Sequence, residues 1–239
     1  ILLIFILVSA SLFSSITLNA QDDYKYEIGG MAGTSFYMGD ANKTKLYQNP
    51  GLSAGVIFRY NKDLRWSVKN NFVIGKVSGD TKNMGNKFPH DQQASFSRMF
   101  YELGSQIEFN LFNYSDKFSY LGTKRITPYV FTGVGITFAS GEKKFLDANI
   151  PIGIGLKYKM KDRLNIGFEF SFRKLFSDSF DVTEKNSKFD LDSPYGIKGS
   201  IFKNNDWYSL TMFTITWDFG RRVCPCGQSQ SPARNRAWE

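Results

Sequence analysis

Apolar and polar residues alternate strictly along residues 164–173, and this alternation is the clearest structural signal in the chain. Every second position carries a large apolar residue: Leu164, Ile166, Phe168, Phe170 and Phe172. The positions between them are polar or small and include the charged Glu169 and Arg173. Because strand side chains alternate between two faces, this segment predicts a β-strand with one apolar and one polar face. Such a strand belongs either to a soluble sandwich, with its apolar face in a core, or to a transmembrane barrel, with that face against lipid.

Seven further segments alternate in the same way: residues 24–38, 51–61, 64–77, 97–111, 128–138, 150–160 and 207–219. Segments of this length match the roughly 9–11 tilted residues that a strand needs to cross a bilayer. Strands of soluble proteins are shorter, at about five or six residues. An even number of strands also closes an antiparallel barrel and removes its edges. The sequence therefore predicts an all-β fold, an eight-stranded antiparallel transmembrane β-barrel of the outer-membrane type.

The connections between these segments alternate in length. Tight turns are expected at residues 61–63 and 161–163, and long polar connections at 39–50, 78–96, 139–149 and 177–206. Residues 113–127 lie on the turn side but form a long connection. Outer-membrane barrels have short periplasmic turns and long outer loops, so we expect both chain ends in the periplasm. Tyr and Trp near the segment ends predict an aromatic girdle at the membrane interfaces: Tyr24, Tyr60, Trp66, Tyr158, Trp207 and Trp217.

The two ends of the chain differ in composition from the barrel. Residues 1–20 are apolar, then Ser- and Thr-rich, and carry no charge, which is typical of a secretory signal peptide with cleavage after Ala20. A membrane anchor or a buried first helix is the alternative. We expect the barrel to occupy residues 21–220 and a basic periplasmic tail to occupy residues 221–239, whose Ser, Pro, Gln and Arg content predicts disorder. The expected location is the outer membrane of a Gram-negative bacterium.

Charged residues of both signs occupy the polar faces of the predicted strands. They are Glu27, Arg59, Lys69, Arg98, Glu102, Glu108, Lys157, Glu169, Arg173 and Asp218. The interior of an eight-stranded barrel is just wide enough for side chains to fill it. A selectivity filter usually carries one dominant sign of charge. We therefore expect these residues to pair with one another and to hold the barrel closed.

The chain carries a formal net charge of +8, and its excess lies on the turn side. Formal charges there, with Lys159 included, sum to about +6, against about −1 for the four long connections. The predicted basic periplasmic rim consists of Lys62, Arg65, Lys124, Arg125, Lys161, Arg163, Arg221 and Arg222. Such a rim faces anionic lipid or an acidic partner, or else it is simply solvated.

Two cysteines, Cys224 and Cys226, follow the last strand on the predicted periplasmic side, where disulfides persist. A bridge between two cysteines separated by one Pro needs a strained small loop. A disulfide to a periplasmic partner, an internal bridge and free thiols all remain open.

Residues for catalysis or metal binding are sparse. The single histidine, His90, lies in a long connection with Asp91 and Ser95 nearby, whereas a Ser-His-acid triad needs the three groups positioned together in space. The Cys and His spacing does not fit a zinc site. Gly133, Gly135, Gly153 and Gly155 precede no helix pattern and are expected to make room for bulky interior neighbours. We expect no enzymatic activity, no cofactor, no metal and no nucleic-acid partner.

Several short motifs, in order along the barrel, resemble one family. They are Tyr37-Met-Gly-Asp40, Arg59-Tyr-Asn61 with Arg65, the run at residues 150–157, Glu169 with Arg173, and Asn204-Asn-Asp-Trp-Tyr208. Over residues 24–226 the chain resembles the PorG-like outer-membrane β-barrel proteins of the type IX secretion system. The resemblance implies a non-enzymatic component of a protein secretion machine that contacts periplasmic ring proteins, a lipoprotein and its partner, through its periplasmic face. A stand-alone structural or adhesive barrel that acts through its outer loops is the alternative, and a small pore or lipid-active enzyme is a third.

Overall fold

Eight β-strands close into one barrel in the computed structural model of this chain. The structure describes residues 24–38, 49–80, 95–116, 122–140, 145–161, 163–176 and 206–221. The strands are β1 (Tyr24–Met38), β2 (Gly51–Asn61), β3 (Trp66–Asp80), β4 (Ser95–Asn110), β5 (Ile126–Ala139), β6 (Phe145–Lys161), β7 (Leu164–Leu175) and β8 (Trp207–Arg221). The predicted signal peptide, the predicted tail beyond residue 221, both cysteines and His90 lie outside the described residues.

Each strand pairs antiparallel with the next one in sequence, and β8 closes against β1. In this register, Arg59 of β2 stands opposite both Glu27 of β1 and Lys69 of β3. Residues Tyr24–Gly220 form one compact unit. The predicted eight-stranded antiparallel barrel is therefore confirmed. We call the end that carries Tyr24, Gly220 and the connections at residues 62–65, 111–125 and 162–163 the turn end, and the opposite end the loop end.

Several strands extend beyond their predicted bounds. β6 begins at Phe145 instead of residue 150, and β3 continues to Asp80 instead of residue 77. The prediction ended these strands where polar residues accumulate. In a barrel, one face of each strand is polar throughout, so polarity alone does not end a strand. The extra length of β6 carries Asp147, whose Oδ2 accepts a hydrogen bond from the backbone N–H of Phe176 at 2.8 Å.

The ladder between β5 and β6 is interrupted at Pro151. Thr132 pairs with Ile152 and Gly135 with Asn149, but no pairing is recorded between these two rungs. Proline lacks the backbone N–H that would bond to β5, which accounts for the gap. On its other side, Pro151 stands in register with Arg173 of β7.

The outer wall of the barrel is apolar. Leu52, Leu103 and Phe213 expose 81%, 62% and 63% of their surface, and apolar residues at alternate positions of every strand behave in the same way. An uninterrupted apolar surface of this extent is far larger than the patches that monomeric soluble proteins expose. In a bilayer the same surface contacts lipid, so the barrel is of the transmembrane, outer-membrane type.

Aromatic residues mark the turn end of this wall. Trp66, Tyr158 and Trp217 point outward and are 46%, 45% and 50% exposed. Tyr24 differs from the prediction, because it is only 4% exposed and lies under the guanidinium of Arg163, whose Nε donates to its hydroxyl at 3.0 Å. Three of the six predicted girdle residues thus occupy the turn-end interface, where their amphipathic rings are favoured.

Many of the buried side chains in the loop-end half of the interior are apolar, which the alternation did not predict. Its buried side chains include Met31, Ile57, Phe100, Leu210 and Met212. These apolar residues sit at positions of the inward, mostly polar face.

Among the described residues, no helix is long and apolar enough to span a membrane.

Candidate functional site

A cluster of six charged side chains fills the middle of the barrel. It contains three cations and three carboxylates: Arg59, Lys69, Lys157, Glu27, Glu108 and Glu169. All six are between 0% and 3% exposed. They come from six different strands, β1 to β4, β6 and β7, and the strand register brings them together in the interior.

Glu108 is the centre of this cluster. Its Oε2 lies 2.8 Å from Arg59 Nε and 2.5 Å from Lys157 Nζ, and its Oε1 lies 3.5 Å from Lys69 Nζ. Glu169 accepts from Lys69 Nζ at 2.7 Å, and Glu27 pairs with Arg59. Each charge therefore has an opposite charge in contact, which is the condition for holding ions in a low-dielectric interior.

Tyr129 closes one side of the cluster. Its hydroxyl donates to Glu169 Oε1 at 2.6 Å, and its ring lies 4.3 Å from Lys157 Nζ. Gly155 makes room for this ring, since a Cβ built there would meet the Tyr129 hydroxyl oxygen at 2.6 Å. Gly153 makes room for Phe131 in the same way, again with a Cβ approach of 2.6 Å.

A second buried cluster lies toward the loop end around Glu102. Its Oε2 accepts from the Tyr208 hydroxyl at 2.6 Å and from Arg173 Nε at 3.1 Å, and its Oε1 accepts from Asn71 Nδ2 at 3.2 Å. Arg98 instead donates to backbone carbonyls, including that of Ala139 at 3.3 Å. The ring of Phe100 packs against Tyr208, with centroids 5.2 Å apart, so this cluster is in contact with the apolar side chains of the loop-end half.

The third cluster, at the turn end, corrects the predicted charge distribution. Lys159 was counted with the periplasmic rim, but it is buried and its Nζ lies 2.7 Å from Asp218 Oδ2. Asn165 Nδ2 donates to the other oxygen of Asp218 at 2.6 Å. Lys159 has the inward parity of Lys157, two residues earlier on β6, and its position near the strand end obscured this in the sequence.

The interior is closed to water at these clusters. All ten predicted interior charges are at most 3% exposed, whereas a water-filled channel would leave them accessible. The buried charged residues among those described are six cations and six carboxylates, with Lys159 and Asp206 added to the predicted set. The described interior is thus balanced in formal charge.

Six basic side chains form an exposed rim at the turn end: Lys62, Arg65, Lys124, Arg125, Lys161 and Arg163. We call these six the basic rim. Asp63 and Asp116 are the acidic side chains of the described connections at this end, and Asp63 Oδ1 is occupied by the backbone N–H groups of Arg65 and Trp66, at 2.8 and 2.7 Å. Arg222, Cys224, Cys226 and the side chain of Arg221 lie outside the described residues.

The described part of the long connection between β4 and β5, residues 111–116 and 122–125, lies against the turn end. Tyr114 is 8% exposed, its backbone N–H donates to the carbonyl of Leu64 at 3.2 Å, and its hydroxyl donates to Asn165 Oδ1 at 3.0 Å. Burial raises the pKa of the Tyr114 hydroxyl well above its usual range, and nearby carboxylates raise it further, so the hydroxyl remains a donor. Tyr114 therefore fixes the described part of this connection to the turn end of the barrel.

Several residues of these clusters were not among the predicted interior charges, although the motif Asn204–Tyr208 contains two of them: Asn71, Tyr114, Tyr208, Asn165 and Asp206. Asn71 and Asn165 had the correct inward parity, so periodicity could have found them. Tyr114 and Asp206 lie in connections, where periodicity is silent. No group of three or more potential metal ligands occurs in the described part of the chain.

A family described as a domain of unknown function, DUF6089, has a model that matches residues 2–228. The chain belongs to this family. No curated protein matches the chain. Its fold is similar to three solved outer-membrane proteins, at low identity. Neisserial surface protein A (NspA) shows a TM-score of 0.46 and 9% identity, over 82% of this chain and 97% of that chain.

The second similar structure is Ail, the attachment invasion locus protein of Yersinia pestis, with a TM-score of 0.42 and 12% identity over 83% of this chain and 99% of that chain. The third is OprG from Pseudomonas aeruginosa, with a TM-score of 0.44 and 11% identity over 85% and 99%. Likeness at this level carries no conclusion about function. The fold assignment rests on the strand pairings of the chain itself.

Proposed function

We propose that this barrel is a non-enzymatic outer-membrane component of a protein secretion machine, and that its turn end faces the periplasm and anchors a periplasmic ring complex. The observation that carries the proposal is the contrast between a closed, charge-balanced interior and an exposed basic rim. A closed interior leaves the two end surfaces as the places where such a barrel acts. Of these, the turn end carries the basic rim.

The basic rim suits an acidic protein surface. Lys62 directly follows β2 and Lys161 ends β6, so both lie at the tight turns, and both are exposed. Positive patches of this kind steer an acidic partner and fix its orientation. The motifs shared with PorG-like proteins support ring proteins of a type IX secretion system, a lipoprotein and its partner, as that acidic partner.

The experiment is a pull-down of the tagged barrel from gently solubilised outer membranes. We expect periplasmic proteins to co-purify, and Lys62→Glu with Lys161→Glu to reduce their recovery at least about tenfold, because two rim charges change sign. Lys76→Gln, an outward-facing charge removal at the loop end, is the control and should leave recovery unchanged.

The same pull-down without and with reductant tests the cysteines. A partner that migrates with the barrel only without reductant places a disulfide at Cys224 or Cys226, and Cys224→Ser with Cys226→Ser should then weaken retention. A lone barrel under every condition contradicts the secretion role. Loop deletions that abolish attachment while sparing secretion would establish the adhesive alternative.

A further inference from the structure

A groove of about 700 Å³ runs along the lipid-facing wall across the middle strands. Its floor is Thr132, a small outward residue that stands in register between Ile107 of β4 and Ile152 of β6. Thr132 is flanked along β5 by Val130 and Val134, so the wall dips at this point. The groove lies beside the gap in the β5–β6 ladder, where Pro151 interrupts the pairing.

Aromatic rings bound the groove on two sides. Trp66 and Phe109 pack at its turn-end edge, with ring centroids 4.8 Å apart. Phe170 and Phe172 of β7 pack edge to face at its far side, with centroids 5.0 Å apart. The lining is almost wholly apolar, and its volume falls within the roughly 300–1,000 Å³ that small ligands occupy. An acyl chain matches this chemistry.

Three cations of the basic rim adjoin the turn-end edge of the groove. Arg65 directly precedes Trp66, while Lys124 and Arg125 directly precede the first residue of β5, Ile126, which is 47% exposed on the lipid-facing wall. All three side chains are therefore at the level of the bilayer surface.

Backbone and side-chain hydrogen bonds hold these two basic segments together. The N–H of Asn110 donates to the carbonyl of Arg65 at 2.7 Å, and Arg65 Nε donates to Asn113 Oδ1 at 2.9 Å. Lys124 Nζ lies 4.1 Å from the centroid of the Phe112 ring, which fixes this ammonium on the same side of the barrel.

We propose that this groove and its three cations bind one anionic glycerophospholipid. The phosphate is held by Arg65, Lys124 and Arg125, and one acyl chain lies along the groove past Trp66 to Thr132. Guanidinium and ammonium groups are the usual partners of lipid phosphates at a membrane surface. A periplasmic protein would reach the cations but not the groove, which opens into the bilayer. The site is separate from the partner contact at Lys62 and Lys161 and needs no partner protein.

Trp66 lines the groove and can report its occupant by fluorescence. A reporter protein retains Trp66 and carries Trp207→Phe, Trp217→Phe and Trp238→Phe. It is reconstituted in phosphatidylcholine vesicles doped with equal mole fractions of either brominated phosphatidylglycerol or brominated phosphatidylcholine. We expect brominated phosphatidylglycerol to bind at the Trp66 site about tenfold more tightly than brominated phosphatidylcholine, because two to three basic groups at a membrane surface favour an anionic headgroup.

Two variants test the two halves of the site. Lys124→Gln with Arg125→Gln should abolish the preference for the anionic lipid. The control, Lys62→Gln with Lys161→Gln, removes the same charge from the basic rim and should preserve that preference. Thr132→Leu fills the groove floor with a lipid-compatible side chain and should lower quenching by the anionic lipid. Each variant is measured only on protein that migrates as the folded, heat-modifiable form.

Equal quenching of Trp66 by the two brominated lipids would overturn the proposal. The proposal would also be overturned if Lys62→Gln with Lys161→Gln lowered the preference for the anionic lipid as much as Lys124→Gln with Arg125→Gln does. That result would show that the overall positive potential of the basic rim, and not a defined site, attracts the lipid. Since the vesicles contain no other protein, a negative result here leaves the secretion role standing, and loss of the partner in the pull-down leaves the lipid site standing.

Discussion

Removing the charge of Glu108 should destabilise the barrel more than any other single change in its interior. Glu108 is 0% exposed and contacts Arg59, Lys69 and Lys157 at 2.8, 3.5 and 2.5 Å. Glu108→Gln keeps the shape of the side chain but leaves three buried cations facing two carboxylates. Breaking a buried ion pair by removing one partner costs about 3–5 kcal/mol, because the other charge stays buried. We expect a loss of that size in the free energy of unfolding.

The assay is urea unfolding of the barrel reconstituted in vesicles, followed by tryptophan fluorescence and by the heat-dependent shift in electrophoretic mobility. Lys157→Met in the Glu108→Gln background restores the balance to two cations and two carboxylates. The double variant should recover part of the loss, with a coupling energy of about 1–3 kcal/mol. The control is Ser105→Ala, which alters a lipid-facing position near Glu108 on the same strand, β4. It should change the free energy of unfolding by less than about 0.5 kcal/mol.

Two results would refute this reasoning. If Glu108→Gln costs less than about 1 kcal/mol, the cluster is not held in a low-dielectric interior and water reaches it. If the two substitutions are additive, the short contact between Glu108 and Lys157 carries no interaction energy. In either case the closed interior, on which the proposed function depends, would have to be abandoned.

Three further changes test other parts of the barrel. Tyr208→Phe removes a buried donor to Glu102 and should cost about 1–3 kcal/mol in urea unfolding. Gly155→Ala places a methyl group against the Tyr129 ring and should lower stability by about 1–3 kcal/mol, seen as a lower Tm by circular dichroism. Tyr114→Phe removes one hydrogen bond worth about 0.5–1.5 kcal/mol and should speed limited proteolysis within residues 111–125 while the strands remain resistant. If the strands of the Tyr114→Phe variant were cleaved as fast as residues 111–125, the connection would not be a separately folded segment.

Alternation along the chain predicted which side of the wall most strand residues face, with exceptions such as the buried Tyr24. The period of two in β7 separates Phe168 from Glu169, and the same rule places all ten predicted charges inside. Pairing could not be predicted in this way. Glu108 meets Arg59 and Lys157, which lie 49 positions away on either side, and only the strand register brings them together.

Two features escaped prediction for identifiable reasons. Inward apolar residues such as Leu210 and Met212 interrupt the polar face of their strand. From the sequence alone, such a residue cannot be distinguished from a lipid-facing residue of a strand whose alternation has shifted by one position. The fold of the connection around Tyr114 depends on contacts with Leu64 and Asn165, which lie 50 and 51 positions away and follow no periodic rule. Tertiary contacts, not local pattern, determine both features.

Charge balance in the interior determines what the excess charge of the chain can do. The buried charged side chains of the described residues are six cations and six carboxylates, whereas the whole chain carries +8. The described interior therefore contributes no net charge, whereas the exposed basic rim lies in contact with water or headgroups, where salt screens it over about 8–10 Å. Substitutions at Glu108 should consequently change stability with little dependence on salt. Substitutions at Lys62 or Arg125 should change binding in a salt-dependent way and leave stability nearly unaltered, so the two kinds of site can be separated by ionic strength alone.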